Sequence, residues 1–142
     1  MNNNKVFLVF MSLLGLALFA AACSRQSQGD VEVSVQDEFK FNPDTISVRA
    51  GQEVTITFNN TGSVEHSFNV LKAGEELDHV VEDIGDEEHL HEALLFDIHE
   101  TAPGESESGT FTMPSEAGEY TIACLIQGHV EAGMVGTLEV TQ

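Results

Sequence analysis

Apolar residues alternate with polar ones along the chain between residues 31 and 58. Side chains of a β-strand point to opposite faces at successive positions, so this period of two predicts half-buried strands. Breaks at residues 42–44 and 50–52, which contain Pro43 and Gly51, and the gap between Val35 and Phe39 divide the alternation into four short strands joined by turns. The apolar positions are Val31, Val33, Val35, Phe39, Phe41, Ile46, Val48, Val54, Ile56 and Phe58.

The C-terminal third of the chain repeats this pattern. Strands are predicted at residues 109–113, 119–123 and 134–140, with Pro114 and Gly118 as breaks between them. Met113 and Tyr120 lie at strand positions where core packing explains them. Many short strands at regular spacing favour an all-β sandwich or barrel.

The middle of the chain, about residues 73–107, has a different character and is predicted to be an insertion. From Glu75 to Glu100 it holds eleven acidic residues and four histidines. Residues 86–95 offer Asp86 as an N-cap and acids in the first turn, which predicts a short helix. The histidines, whose spacing matches no standard metal site, are interpreted as solvated surface residues, with a second metal site as the alternative: His79, His89, His91 and His99.

The first residues have the order of an export signal. Lys5 precedes an apolar run from Val6 to Leu18, and small residues follow up to Cys23. We predict a signal peptide of the lipoprotein type at 1–22, lipid on Cys23, a polar linker at 23–30 and one domain at 31–142. The alternative is ordinary secretion, with Cys23 either free or paired with Cys124.

The charge of the chain limits its partners. It has 24 acidic residues against 5 Lys and Arg, a formal net charge of −19, and no Lys or Arg follows Lys72. Phosphate binding needs clustered basic side chains, so nucleic acid is excluded as a partner. An acidic surface instead attracts basic proteins or cations.

One loop between two predicted strands concentrates metal-binding chemistry. Cys124, His129 and Met134 follow a Cys-x4-His-x4-Met spacing, and His66 enters a strand far upstream. Two histidines and a cysteine with a weak axial methionine are the ligand set of an electron-transfer copper site. If Cys23 carries lipid, Cys124 has no disulfide partner, and metal ligation explains a lone exported thiol.

These motifs resemble the plastocyanin and azurin family, the cupredoxins. The similarity runs over the segments 41–43, 58–60, 65–68, 102–105, 118–120 and 124–136, and an acidic lipoprotein of this kind resembles auracyanins and halocyanins. The resemblance implies a Greek-key β-sandwich, with His66, Cys124 and His129 as equatorial ligands and Met134 as the axial ligand of one type I copper ion. Plastocyanin and azurin have Asn after the first histidine, whereas this chain has Ser67.

The resemblance also implies a function. We expect a monomeric carrier of single electrons, anchored by lipid to the outer side of a bacterial or archaeal cell membrane. Its redox donor and acceptor would dock at the His129 end. The alternatives are a copper-trafficking or storage protein that uses the acidic histidines, and a domain of a copper enzyme, which would need further histidine clusters.

Overall fold

The computed structural model describes residues 29–142, so the predicted signal peptide and Cys23 lie outside the described residues. Nine strands and two short helices follow one another along this part of the chain. They are β1 (Gly29–Val35), β2 (Phe41–Asn42), β3 (Thr45–Arg49), β4 (Glu53–Asn60), β5 (His66–Leu71), α1 (Leu77–Glu82), α2 (Glu87–Ala93), β6 (Leu94–Thr101), β7 (Ser106–Thr112), β8 (Gly118–Ala123) and β9 (Val135–Thr141).

The strands form two sheets that pack face to face. One sheet has the order β2-β1-β4-β7, and the other has the order β3-β9-β8-β5-β6. The pairs β1–β4 and β3–β9 are parallel, and the remaining neighbours are antiparallel. The predicted all-β Greek-key sandwich is therefore confirmed.

The core between the sheets is built from the alternating apolar positions. Phe41, Phe58 and Phe68 meet at its centre, with ring centroids 5.6 to 6.3 Å apart. Phe96 of β6 stacks on Phe111 of β7 with 4.3 Å between centroids, which closes one side of the sandwich. Met113 and Tyr120 are buried in this core, as predicted from their strand positions.

The acidic middle segment is partly helical and partly strand. Helix α2 confirms the predicted helix, because the Asp86 carboxylate caps it by accepting a hydrogen bond from the His89 backbone N–H. Strand β6 was not predicted, although Phe96-Asp97-Ile98-His99 alternates as a strand does and pairs with β5. The insertion between β5 and β6 is therefore residues 72–93, which is shorter than the predicted 73–107.

Phe39 departs from the predicted strand that contained Phe39 and Phe41. It lies in the loop before β2 with φ of +52°, in the left-handed region that L-residues rarely adopt. Its ring turns toward His66 and His129 instead of joining the strand. The prediction of a strand at Phe39 was wrong, because a left-handed backbone conformation lies outside the β region.

Candidate metal centre

His66 is the first residue of β5 and is fully buried. Neither of its ring nitrogens has a hydrogen-bond partner in the part of the chain that the structure describes. A buried imidazole without a partner is costly, because the nitrogens lose water and gain nothing in return. A metal ion bound to one of them would remove this cost.

The other three predicted ligands lie on the loop between β8 and β9. The Cys124 backbone N–H donates to the Met134 carbonyl at 3.2 Å, and the Met134 N–H donates to the His129 carbonyl at 2.9 Å. Gly128 and Gly133 take positive φ values of 86° and 95°, which let the chain turn back on itself. These bonds close the loop so that its side chains converge on the end of the sandwich.

The donor atoms of three residues meet at this point. One nitrogen each of His66 and His129 and the Cys124 sulfur lie within 4.8 Å of one another, and the Cys124 sulfur is 3.2 Å from His129 Nδ1. Met134, on the same loop, is fully buried. Thiolate, imidazole and thioether together suit copper, which accepts soft sulfur and borderline nitrogen, so these four residues have the arrangement of a type I copper site.

Burial disfavours the charged forms of the donor groups in the metal-free protein. It lowers the pKa of His66, and the nearby His129 adds to this shift while Asp37 opposes it. Burial likewise lowers the pKa of His129 and raises the pKa of the Cys124 thiol. The neutral imidazole is the form that binds a metal ion, whereas the thiol must release its proton when the metal binds.

Ser67 occupies the position where plastocyanin and azurin carry Asn, and it contacts the cysteine. Its backbone N–H donates to the Cys124 sulfur at 3.3 Å, and its hydroxyl lies 3.7 Å from the same sulfur. The Leu125 N–H donates to the Ser67 hydroxyl at 3.0 Å. The shorter side chain therefore still connects β5 to the cysteine loop.

Two residues at the site were missed by the sequence reasoning. Phe39 packs edge-on against both histidine rings, with centroids 4.8 Å from His129 and 5.9 Å from His66. Asn69 is buried and donates to the Ser67 hydroxyl at 2.9 Å. Neither position carries a distinguishing motif, because the loop of Phe39 and the strand of Asn69 meet the cysteine loop only in the folded chain.

The four histidines of the acidic segment do not assemble a comparable site. Each is exposed, and His89 and His99 lie closest to carboxylates, at 3.4 Å from Asp86 and 3.2 Å from Asp97. Within residues 29–142, His66, Cys124 and His129 form the one group of three or more potential ligands with donor atoms this close. The interpretation of the other histidines as solvated surface residues agrees with this arrangement.

The two helices lie beside the metal loop, which is the loop between β8 and β9, residues 124–134. Val80 of α1 is buried in a small apolar cluster with Leu71 and Leu125, and Leu90 of α2 and Val130 of the metal loop pack against this cluster. Both helices are thereby packed against residues that neighbour Cys124 and His129 in the chain. Neither helix has the length and apolar composition that crossing a membrane requires, within the residues described.

Comparisons with known proteins agree with this geometry. The family model for copper-binding proteins of the plastocyanin/azurin family matches residues 28–141. The copper-resistant cuproprotein CopI of Rubrivivax gelatinosus is 33% identical over 117 residues, which cover 81% of this chain and 68% of that protein. The chloroplastic plastocyanin of Hordeum vulgare is 36% identical over 104 residues, 70% of this chain and 54% of that protein.

The fold comparison gives the same answer. The structure of auracyanin A, a blue copper protein from Chloroflexus aurantiacus, superimposes with a TM-score of 0.70 at 27% identity. The match covers 79% of this chain and 98% of auracyanin A. The chain therefore belongs to the plastocyanin/azurin family of copper-binding proteins, and its cofactor is copper.

Proposed function

We propose that this protein carries single electrons on one type I copper ion, with His66, Cys124 and His129 as equatorial ligands and Met134 as the axial ligand. The proposal rests on one observation: the donor atoms of His66, Cys124 and His129, from β5 and the β8–β9 loop, lie within 4.8 Å of one another. It is supported by the buried His66 nitrogens, which have no hydrogen-bond partner among residues 29–142. When bound, copper supplies a one-electron couple between its cuprous and cupric states.

The surrounding protein suits a carrier and not an enzyme. His66, Cys124 and Met134 are fully buried, so water has little access to the donor atoms from the protein side. Four protein ligands would occupy the positions around the ion and leave no site for a substrate. A copper enzyme needs a further ligand cluster, and the acidic histidines of residues 75–100 are too exposed and dispersed to support one.

Electrons would enter and leave through His129. It is half-buried, whereas His66 is fully buried, so its ring is the ligand nearest to a docked partner. Val130, Ala132 and Gly133 follow it closely on the loop and would form a small apolar patch, with Ala132 and Gly133 exposed. A patch of this size suits a transient encounter that buries less than about 1,200 Å².

The redox partner is proposed to be basic at its docking surface. The acidic helices α1 and α2 are packed beside the metal loop, and the chain carries a formal net charge of −19. Complementary charge speeds encounter and is screened by salt. Electron exchange with a basic protein should therefore slow as the ionic strength rises, and exchange with an acidic protein should not.

We further propose that the protein works outside the cytoplasm, anchored to a bacterial or archaeal cell membrane by lipid on Cys23. The proposal is supported by the signal peptide predicted at 1–22 and by Cys124, which is buried beside two histidines and so is poorly suited to a disulfide with Cys23. Cys23→Ser should move the protein from the membrane fraction to the soluble fraction, with Ser24→Ala as the matched control. Membrane association that survives Cys23→Ser would refute lipidation.

The decisive test of electron carriage is the spectrum of the copper-loaded protein. One equivalent of Cu(II) should give intense absorption at about 600 nm, which is typical of copper–thiolate bonding. Cys124→Ser should abolish the band, whereas Cys23→Ser should retain it. A colourless wild-type complex, or full colour in Cys124→Ser, would overturn the proposal.

Copper resistance is a second candidate function, favoured by the similarity to CopI of Rubrivivax gelatinosus. In this role the acidic segment would collect cations at His79, His89, His91 and His99, as in the copper-trafficking or storage alternative. Binding of several copper ions that is lost when these four histidines are replaced by Ala would support it. If the wild type and the variant without these four histidines each bind one copper ion, electron carriage remains as the function.

A further inference from the structure

A buried chain of hydrogen bonds reaches the Cys124 sulfur from Asn69. The Asn69 side-chain amide donates to the Ser67 hydroxyl at 2.9 Å and to the Ala123 carbonyl at 3.0 Å. Ser67 and Asn69 are 5% and 6% exposed, so water does not compete effectively for these bonds. The Ala123 carbonyl can only accept a hydrogen bond, so the Asn69 amide must present its NH₂ group to it. The same NH₂ group, and not the amide oxygen, therefore faces Ser67.

The Ser67 hydroxyl has a limited number of bonds to make. It offers two lone pairs that accept hydrogen bonds and a single O–H that donates. Donors fill both lone pairs, since the Asn69 amide approaches at 2.9 Å and the Leu125 backbone N–H at 3.0 Å. The hydroxyl then has only its O–H left to form a hydrogen bond. The Cys124 sulfur lies 3.7 Å from the hydroxyl oxygen, within reach of a hydrogen bond to sulfur.

We propose that Asn69 is a positioning residue for the copper site, acting through Ser67. By occupying one lone pair of the hydroxyl, Asn69 turns its proton toward the Cys124 sulfur. The hydroxyl then donates to the thiolate, which also accepts backbone hydrogen bonds from Ser67, at 3.3 Å, and from Ile126. This inference rests on the proposed type I copper site.

The hydrogen bond from the Ser67 hydroxyl to the sulfur has a consequence for the redox potential. A hydrogen bond draws electron density from the thiolate, so the sulfur donates less electron density to the copper ion. The oxidised ion depends on that donation more than the reduced ion does, so the reduced state is favoured. Hydrogen bonding around the cysteine sulfur is one of the features that tune such sites. Asn69 should therefore raise the potential by holding the Ser67 proton in place.

The test compares Asn69→Leu, Ser67→Ala and the double variant in the copper-loaded protein. At a fixed applied potential, the ratio of reduced to oxidised protein should fall about threefold to tenfold in Asn69→Leu, the factor that one ordinary hydrogen bond represents. Ser67→Ala should lower the ratio as well. The double variant should match Ser67→Ala, because Asn69 has no hydroxyl left to orient.

Tyr120→Phe is the matched control. The Tyr120 hydroxyl donates to the Glu116 carbonyl at 3.4 Å, near the start of β8 and away from Cys124. Tyr120→Phe also deletes a hydrogen bond of a largely buried residue. The substitution should leave the redox potential and the visible band unchanged. A purely structural role for Asn69 would lower stability as Tyr120→Phe does and move neither readout.

A measurement without Asn69→Leu covers the case in which that variant fails to fold. The metal–sulfur stretching frequency of the wild type should shift between H₂O and D₂O, and the shift should shrink in Ser67→Ala and in Asn69→Gln. If Asn69→Gln keeps the full isotope shift, or if the effects of Asn69→Leu and Ser67→Ala add, the positioning role is wrong. Absence of a thiolate band in the wild type would instead refute the copper-site proposal itself.

Discussion

Asn60→Ala should destabilise the fold strongly, because the side chain of Asn60 holds the turn that leads to His66. Asn60 is 1% exposed, and its NH₂ group donates to the Val64 and Thr101 carbonyls at 2.8 Å each. Its side-chain oxygen accepts from the Gly62 N–H at 3.0 Å. Alanine removes all three bonds and leaves two carbonyls without this donor.

The expected size follows from these bonds. A net contribution of about 1 kcal/mol for each hydrogen bond gives a loss of about 3 kcal/mol in the free energy of unfolding. For a domain of this size, such a loss lowers Tm by about 10–15 °C. Thermal and urea unfolding of the metal-free protein measure it, since bound copper would add its own stabilisation.

Asn59→Ala is the matched control, because the neighbouring side chain points to the other face of β4. Asn59 makes one exposed bond, accepting from the Ser106 hydroxyl at 2.6 Å. Its replacement should change stability by no more than about 0.5 kcal/mol. Equal losses in Asn59→Ala and Asn60→Ala would refute the reasoning that the buried amide organises the turn.

Three further substitutions give distinct results. Gly136→Ala should cost about 1–3 kcal/mol in unfolding free energy, because a Cβ would lie 2.7 Å from the backbone carbonyl oxygen of Asp44, which a rotamer change cannot relieve. Phe39→Ala should speed removal of copper by a chelator, followed as loss of the visible band, because it uncovers the edge of the His129 ring. Met134→Leu should keep the blue colour and change the potential measured by redox titration, since the axial ligand is weak.

Two of these substitutions have a matched control variant. Gly118→Ala should be nearly neutral, because a Cβ added at this residue would meet no atom within 4 Å. Val64→Ala removes a residue that is 40% exposed and should leave the rate of copper removal unchanged. Equal chelation rates for Val64→Ala and Phe39→Ala would contradict the shielding role of Phe39, and a colourless Met134→Leu would contradict a weak axial ligand.

The strands and the ligand residues could be predicted from sequence because their signals are local. Alternation predicted β1, β3 and β4, and the Cys124, His129 and Met134 spacing identified one loop as a metal site. Strand β6 was not predicted because Ala93-Leu94-Leu95-Phe96 follows a helical, acidic stretch. The alternation within the strand, from Phe96 to His99, is only four residues long. Its assignment to a strand depends on pairing with β5.

Residue type and spacing along the chain were enough to predict the fold class, the ligand set and the acidic charge, since each of these depends on local pattern. The support of the site depends instead on the folded chain. Phe39 meets His129, and Asn69 reaches Cys124 through Ser67, across 90 and 55 positions of sequence. Such contacts leave no periodic signal, because they arise where separate loops and strands converge at one end of the sandwich.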